Sequence, residues 1–256
     1  MIKIESLNKS YSGKTVLKDI SQDLEESKLI CVIGPNGVGK STLIRCMDKL
    51  INFDSGRIEV GGLDVSATNI KTISDVVAFI PNTFSDMFGI TVFESVALGI
   101  QKGRRRRLNN EEHERVFSIL ELLGILEYRD RPISSLSAGQ CQMASLARGL
   151  AQDCPVLLLD EPLSNLDINH QIFVMEMLKN VVRVTGRTII CICHDLNLSA
   201  RYADKIMVLA KPGALHSYGP PDEIITSKMI ADVYSVDTEI LRNDGRPFVI
   251  IKGIIH

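Results

Sequence analysis

Residues 34–41 read GPNGVGKS, directly after the apolar run KLICVIG and directly before the helically spaced STLIRCMDKL. No other feature of the chain restricts its fold as tightly. The pattern GxxxxGK[ST] at a strand-to-helix junction calls for backbone conformations that glycine adopts without strain, so that N–H groups can approach phosphate oxygens. The start of the helix adds positive potential at the same place. Gly34, Pro35, Asn36, Gly37, Val38 and Gly39 are therefore expected to wrap a phosphate chain, with Thr42 just beyond it. Lys40 is expected to reach the β and γ positions of a nucleoside triphosphate, and Ser41 to ligate Mg²⁺. A turn that was merely rich in glycine has no need of this lysine and hydroxyl.

A second site follows from residues 156–161, VLLLDE, an apolar strand that ends in two acids. Buried charge needs a partner, and a nucleotide-bound Mg²⁺ suits Asp160. Glu161 is then placed to orient or deprotonate an attacking water. Alone, such a run is a strand meeting solvent. Beside a phosphate loop it indicates a nucleotide hydrolase, of a kind these two elements leave open.

IKIESL alternates like a half-buried strand, KLICVIG reads as a central strand, and RIEVGGLDV as a hairpin or edge strand. DVVAFIP is a further buried strand, stopped by Pro81. From about residue 91 to 153 the spacing turns helical, in VFESVALGI, in residues 111–126 and in AGQCQMASLARGLAQ. Strands return with PVLLLD, RTIICIC and KIMVLA, each separated by a helical segment. This alternation predicts an α/β fold: a mostly parallel sheet covered on both faces, with the helical stretch inserted as a subdomain.

Composition removes several classes. Hydrophobic residues make up 45% and charged residues 23%, a globular balance. A net charge of -2 provides no general field for nucleic acid, and none is expected as a partner. No stretch approaches the roughly 18 to 20 apolar residues that cross a bilayer. The start lacks a signal-peptide core, so a cytoplasmic protein is expected. The six cysteines are scattered, which fits a reducing compartment. Cys191 and Cys193 share one strand face and read as small apolar side chains rather than metal ligands. The arginine run 104–107 reads as a solvated loop.

Residues 136–140, LSAGQ, open a helix about twenty residues before the acidic strand, and they resemble the LSGGQ signature of ABC ATPases. By that resemblance, Ser137, Ala138, Gly139 and Gln140 contact the γ-phosphate of ATP held by a second copy of the chain, so that two chains sandwich two nucleotides. Ala138 departs from the usual glycine and requires a negative φ. In the same family pattern Tyr11 stacks on adenine, and Asp167 in SNLD belongs to a loop that communicates across the dimer. His194 is the switch histidine at the γ-phosphate. Asn82 stands where the family has a glutamine that reaches Mg²⁺ and the attacking water; it is one methylene shorter, about 1.5 Å of reach.

The resemblance covers nearly the whole chain. It implies a P-loop NTPase core with an N-terminal antiparallel subdomain, a single domain 1–256 with its core at about 1–90 and 154–256 and its helical subdomain at about 91–153. LLLDEPLSNLDINHQ is similar to the importers of iron complexes, haem and cobalamin, a branch that includes molybdate importers. ATP and Mg²⁺ are the implied cofactors. The implied partners are a second copy, a membrane permease dimer whose cytoplasmic helix meets residues 82–96, and, indirectly, an extracytoplasmic binding protein. The implied place is the cytoplasmic face of the membrane. Two rivals share the core: an iron-sulfur assembly ATPase, which usually carries a different signature and lacks LDINHQ, and a chromosome-organising ATPase. The latter carries long coiled coils, whereas only about 120 residues separate Lys40 from Asp160 here, without sustained heptads.

Overall fold

In β3 (Leu29–Ile33) every residue is buried, and successive side chains enter two different cores. Leu29, Cys31 and Ile33 face a helical layer, while Ile30 and Val32 face an antiparallel sheet. That division follows from the two-residue period of a strand buried on both faces. The computed structural model of the chain describes residues 1–82, 89–101 and 107–255.

The antiparallel layer contains β1 (Ile2–Tyr11), β2 (Lys14–Leu24), β4 (Ser55–Val60) and β5 (Leu63–Asp64), in the order β2-β1-β4-β5. Ile2, Ile4 and Leu7 of β1 bury against α1 (Lys40–Met47), which contributes Leu43, Ile44 and Met47. α2 (Ile70–Val76) leads straight into β6 (Val77–Ile80). The expected strand DVVAFIP therefore begins two residues late, because Asp75 and Val76 complete the last turn of α2.

The second sheet has the order β10-β9-β3-β8-β7-β6. Its members are β3, β6, β7 (Val156–Leu159), β8 (Thr188–Ile192), β9 (Lys205–Ala210) and β10 (Ala214–Gly219). All neighbours run parallel except β9 and β10. The helical stretch supplies α3 (Val92–Gln101), α4 (Asn110–Leu122) and α5 (Ala138–Ala151). α4 stops at Leu122 instead of continuing to 126, since Gly124 takes φ +65 and ends the helix in the left-handed conformation. Close packing of α5 depends on small residues: a Cβ on Gly149 would lie 2.2 Å from Ile80 Cδ1.

α6 (Ile168–Thr185) and α7 (Leu196–Tyr202) cover the helical face of the parallel sheet. Beyond β10 come α8 (Pro221–Ile224), α9 (Ser227–Tyr234) and the hairpin β11 (Val236–Asn243) with β12 (Arg246–Ile254). Neither β2 nor these last elements stand out in the sequence pattern. All six cysteines are free; Cys191 and Cys193 are buried, and burial pushes the Cys193 thiol up to about 12. Arg107 is exposed, while 102–106, and with them most of the arginine run, lie outside the described residues; so do 83–88 of the expected permease-facing segment.

Candidate nucleotide site

The carboxyl ends of four adjacent parallel strands, β3, β8, β7 and β6, carry the residues that the sequence singled out. Register places Val32 beside Ile192, Leu159 beside Cys191, and Ile80 beside Leu159. The loops that follow therefore bring Gly34, His194, Asp160 and Asn82 to one edge, where open α/β sheets bind ligands.

Beyond Ile33 the chain turns through the phosphate loop into α1. Gly34 at φ +147 and Gly39 at φ +110 leave no room for a side chain. A Cβ on Gly34 would lie 2.3 Å from the Leu209 carbonyl oxygen, and one on Gly39 would lie 2.6 Å from that of Val16. Lys40 is 5% exposed, and its Nζ donates to the carbonyl oxygens of Gly34 at 2.7 Å and Pro35 at 3.0 Å. Burial lowers its pKa, while the nearby Glu161 and Asp160 carboxylates act in the opposite sense.

Asp160 is 2% exposed and has a partner at each carboxylate oxygen. Ser41 Oγ donates to Oδ1 at 2.7 Å, and Arg45 Nη2 donates to Oδ2 at 2.9 Å. This satisfaction is what burial of a carboxylate demands. Sequence reasoning missed Arg45, although its place one helical turn beyond Ser41 puts both on one face of α1. Ser41 and Asp160 supply hard oxygen donors side by side, the chemistry that Mg²⁺ prefers, so these residues fit the ion.

Glu161 takes φ +54, a left-handed conformation for a residue with a side chain. Its Oε1 lies 2.7 Å from His194 Nε2, and its Oε2 accepts from Asn82 Nδ2 at 3.2 Å. The Asn82 oxygen is turned away, accepting from Ser164 Oγ at 2.5 Å. Asparagine therefore leaves no gap here, but its oxygen points to Ser164 rather than toward the Ser41–Asp160 pair. Val16, Asn36, Gly37, Gly39, Lys40, Ser41, Thr42, Glu161 and His194 line one cleft of about 490 Å³. Val16 carried no signal in the sequence. Tyr11 is not among the lining residues: it sits at the end of β1, 43% exposed, with Lys9 Nζ 5.2 Å from its ring centroid. Tyr234 of α9 was also missed; its hydroxyl accepts a backbone hydrogen bond from Gly34, while burial pushes its pKa up.

The signature lies elsewhere. Ser137 is the N-cap of α5: its Oγ accepts from Gln140 N at 3.3 Å, and Gln140 Oε1 accepts from Ser137 N at 3.0 Å. Ala138 begins the helix and does not take positive φ, so alanine suits the position. A Cβ on Gly139 would sit 3.3 Å from Leu166 Cδ2, so glycine allows the loop after β7 to approach. That loop ends at Asp167, the N-cap of α6, which accepts from His170 N at 2.9 Å; hydrogen bonding from His170 lowers the Asp167 pKa. Gln171 Nε2 donates to the carbonyls of Leu163 and Leu166 at 3.3 and 3.2 Å. LDINHQ is thus a cap plus a clamp. Ser137, Ala138, Gly139, Gln140 and Asp167 line a separate cleft of about 700 Å³ that shares no residue with the first.

Comparison with known proteins identifies the family. The family model for ABC transporter matches residues 17–164. The petrobactin import ATP-binding protein YclP of Bacillus subtilis is 33% identical over 96% of this chain and 97% of its own length. The cobalamin import ATP-binding protein BtuD of Halobacterium salinarum is 36% identical over 89% of this chain and 57% of its own. A dimeric ATP-binding cassette in a post-hydrolysis state, bound to ADP and phosphate, superposes with a TM-score of 0.79 at 25% identity, covering 86% of this chain and 98% of that one. With its phosphate loop, its acidic strand end and its signature in place, the chain belongs to the ABC transporter family, as an ATP-binding subunit that hydrolyses ATP.

Proposed function

We propose that this chain powers the import of an iron complex, a ferric siderophore or haem, through a separate membrane permease. The observation that carries the cargo is its near full-length similarity to a petrobactin import ATP-binding protein. In this reading Gly34, Asn36, Gly37, Gly39, Lys40 and Thr42 hold the phosphates of ATP. Ser41 and Asp160 hold Mg²⁺, which supplies charge stabilisation at the phosphates. Glu161 takes the proton of the attacking water, and His194 fixes the Glu161 carboxylate through its 2.7 Å contact. The exposed ring of Tyr11 stacks on adenine, and Asn82 works through Glu161.

A second copy of the chain contributes Ser137, Ala138, Gly139 and Gln140, because the two clefts of one chain are lined by different residues. The chain is one domain with residues 91–153 as its helical unit, and the permease dimer meets it along residues 82–96 on the cytoplasmic face of the membrane. An extracytoplasmic binding protein delivers the cargo. Among the described residues no helix is long and apolar enough to cross a membrane, so the permease is a separate chain in this reading.

Uptake assays decide the cargo. A strain lacking this chain should lose uptake of labelled ferric siderophore or haem, and the Glu161→Gln variant should not restore it. The cobalamin relative motivates one further arm. Intact iron-complex uptake with lost cobalamin or molybdate uptake would replace the cargo while leaving the motor role in place.

A further inference from the structure

We infer that Ser164 is a positioning residue for Glu161, acting through Asn82. This rests on the reading of Glu161 as the general base. Glu161 has a left-handed backbone, which a side-chain-bearing residue keeps only when its neighbours hold it. Ser164 supplies that hold: its N–H and its Oγ both donate to the Glu161 carbonyl oxygen, at 3.2 and 2.9 Å. The same Oγ lies 2.5 Å from Asn82 Oδ1. Since Asn82 Nδ2 faces Glu161 Oε2, the carboxamide has its oxygen toward Ser164, and the single hydroxyl proton is shared between two carbonyl oxygens.

Ser164, Asn82 and Glu161 therefore close a ring of hydrogen bonds: hydroxyl to carboxamide, carboxamide to carboxylate, and hydroxyl back to the Glu161 backbone. Removing the hydroxyl leaves Asn82 free to turn, and its oxygen toward the carboxylate would repel rather than hold it. His194 then remains on Oε1 alone. The geometry gives Ser164 a firm base, because Gln171 clamps the carbonyls on either side of it, at Leu163 and Leu166. Asn165, Leu166 and Asp167 of the same loop line the signature cleft, so the loop that aims Glu161 also borders the surface offered to a second copy.

Steady-state kinetics of Ser164→Ala, Ser164→Thr, Asn82→Ala and the double Ser164→Ala/Asn82→Ala variant test this. Ser164→Ala should lower kcat by about tenfold, since small misplacements of a reacting group are costly, with KM for ATP changed less than about twofold. Ser164→Thr keeps the hydroxyl and should recover most of the rate. The double variant should be no slower than Asn82→Ala, because the second change removes nothing more from the ring. An unchanged kcat in Ser164→Ala, no recovery in Ser164→Thr, or full additivity in the double variant overturns the assignment. If Ser164→Ala does not fold, Asn82→Ala decides alone: a lowered kcat with unchanged KM is expected, and a wild-type kcat overturns the inference. Glu161→Gln separates the two levels. Full turnover in Glu161→Gln removes the general base itself, whereas an inactive Glu161→Gln beside a fully active Ser164→Ala removes only the role of Ser164.

Discussion

The phosphate loop and the signature both lead into a helix, yet the two helix starts are finished in opposite ways. α1 begins after Gly39, which offers no side-chain cap, and its first lysine is buried against the loop carbonyls. α5 begins after Ser137 with a complete capping box, its serine and glutamine bonded to each other's backbone. A helix start leaves several N–H groups without partners. At α1 those groups stand ready for an anion, with Lys40, Asp160 and Glu161 around them. At α5 the protein has already met part of that demand with its own side chains. One chain thus carries one helix start left uncapped beside a buried lysine, and a second already capped by its own side chains.

The largest expected effect breaks the phosphate side. Glu161→Gln should retain ATP binding and lose about 10² to 10⁴ in turnover, the usual worth of a general base. Equilibrium nucleotide binding beside steady-state hydrolysis measures both. Lys40→Ala should instead lose ATP affinity, since its cation is what the loop folds over.

Breaking the signature side should leave binding to the single chain intact. Ser137→Arg, introduced into Glu161→Gln, should prevent the ATP-dependent dimer seen by light scattering in the parent variant. In the otherwise native chain it should lower turnover by about 10², the scale for losing a charge-stabilising donor. An unchanged dimer would show that the two helix starts do not meet across a pair of chains.

The far end of α1 sharpens the contrast through stability alone. Asp48 caps that helix, is 8% exposed, and burial raises its carboxyl from 3.8 to about 7. The carbonyl end of a helix is itself unfavourable for a carboxylate. A raised acid means that the folded state holds a proton the unfolded chain has released. The contribution of this one group to stability is therefore fully present below about pH 4 and is lost as pH rises through about 7. Asp48→Asn removes this slope, and should gain roughly 1 to 3 kcal/mol on the parent protein between pH 5 and pH 8. Urea unfolding at the two pH values gives the difference.

The smallest effect concerns Asn82. Its shortness relative to glutamine suggested a weakened contact, but in the fold it already reaches Glu161 and Ser164. Asn82→Gln should lower kcat about threefold, because the added methylene has to buckle to make the same bonds, and should leave ATP affinity unchanged. Steady-state assays of both forms are sufficient.

Much of the site was legible because its residues act through local backbone. Gly34, Gly39, Lys40 and Ser41 are consecutive or nearly so, and a strand-loop-helix turn brings them together without help from the rest of the chain. The same holds for Asp160 with Glu161 at a strand end; the Ser137–Gln140 capping box is equally local but went unread in the sequence. The parallel sheet was visible too, since strands buried on both faces, such as β3 and β8, read as unbroken apolar runs. The C-terminal hairpin was not: the apolar residues of β11 and β12, the run 248–251 among them, lie mostly at exposed positions, so they mark no buried face of the kind that hydrophobic patterning reports.

Distance along the chain set the other limit. Ser164 meets Asn82 across 82 residues, and Arg45 meets Asp160 across 115. Gly34 receives Tyr234 from the other end of the molecule. Motif and spacing report what a segment does to its own backbone, so the sequence alone determined the phosphate loop and the acidic strand end, and set the signature at the start of a helix. Which side chains close on those segments depends on strand order and register. Only the packed sheet, which sets β3, β8, β7 and β6 side by side, decided that Asn82 turns to Ser164, that Arg45 holds Asp160, and that Tyr11 stays outside the cleft that Val16 lines.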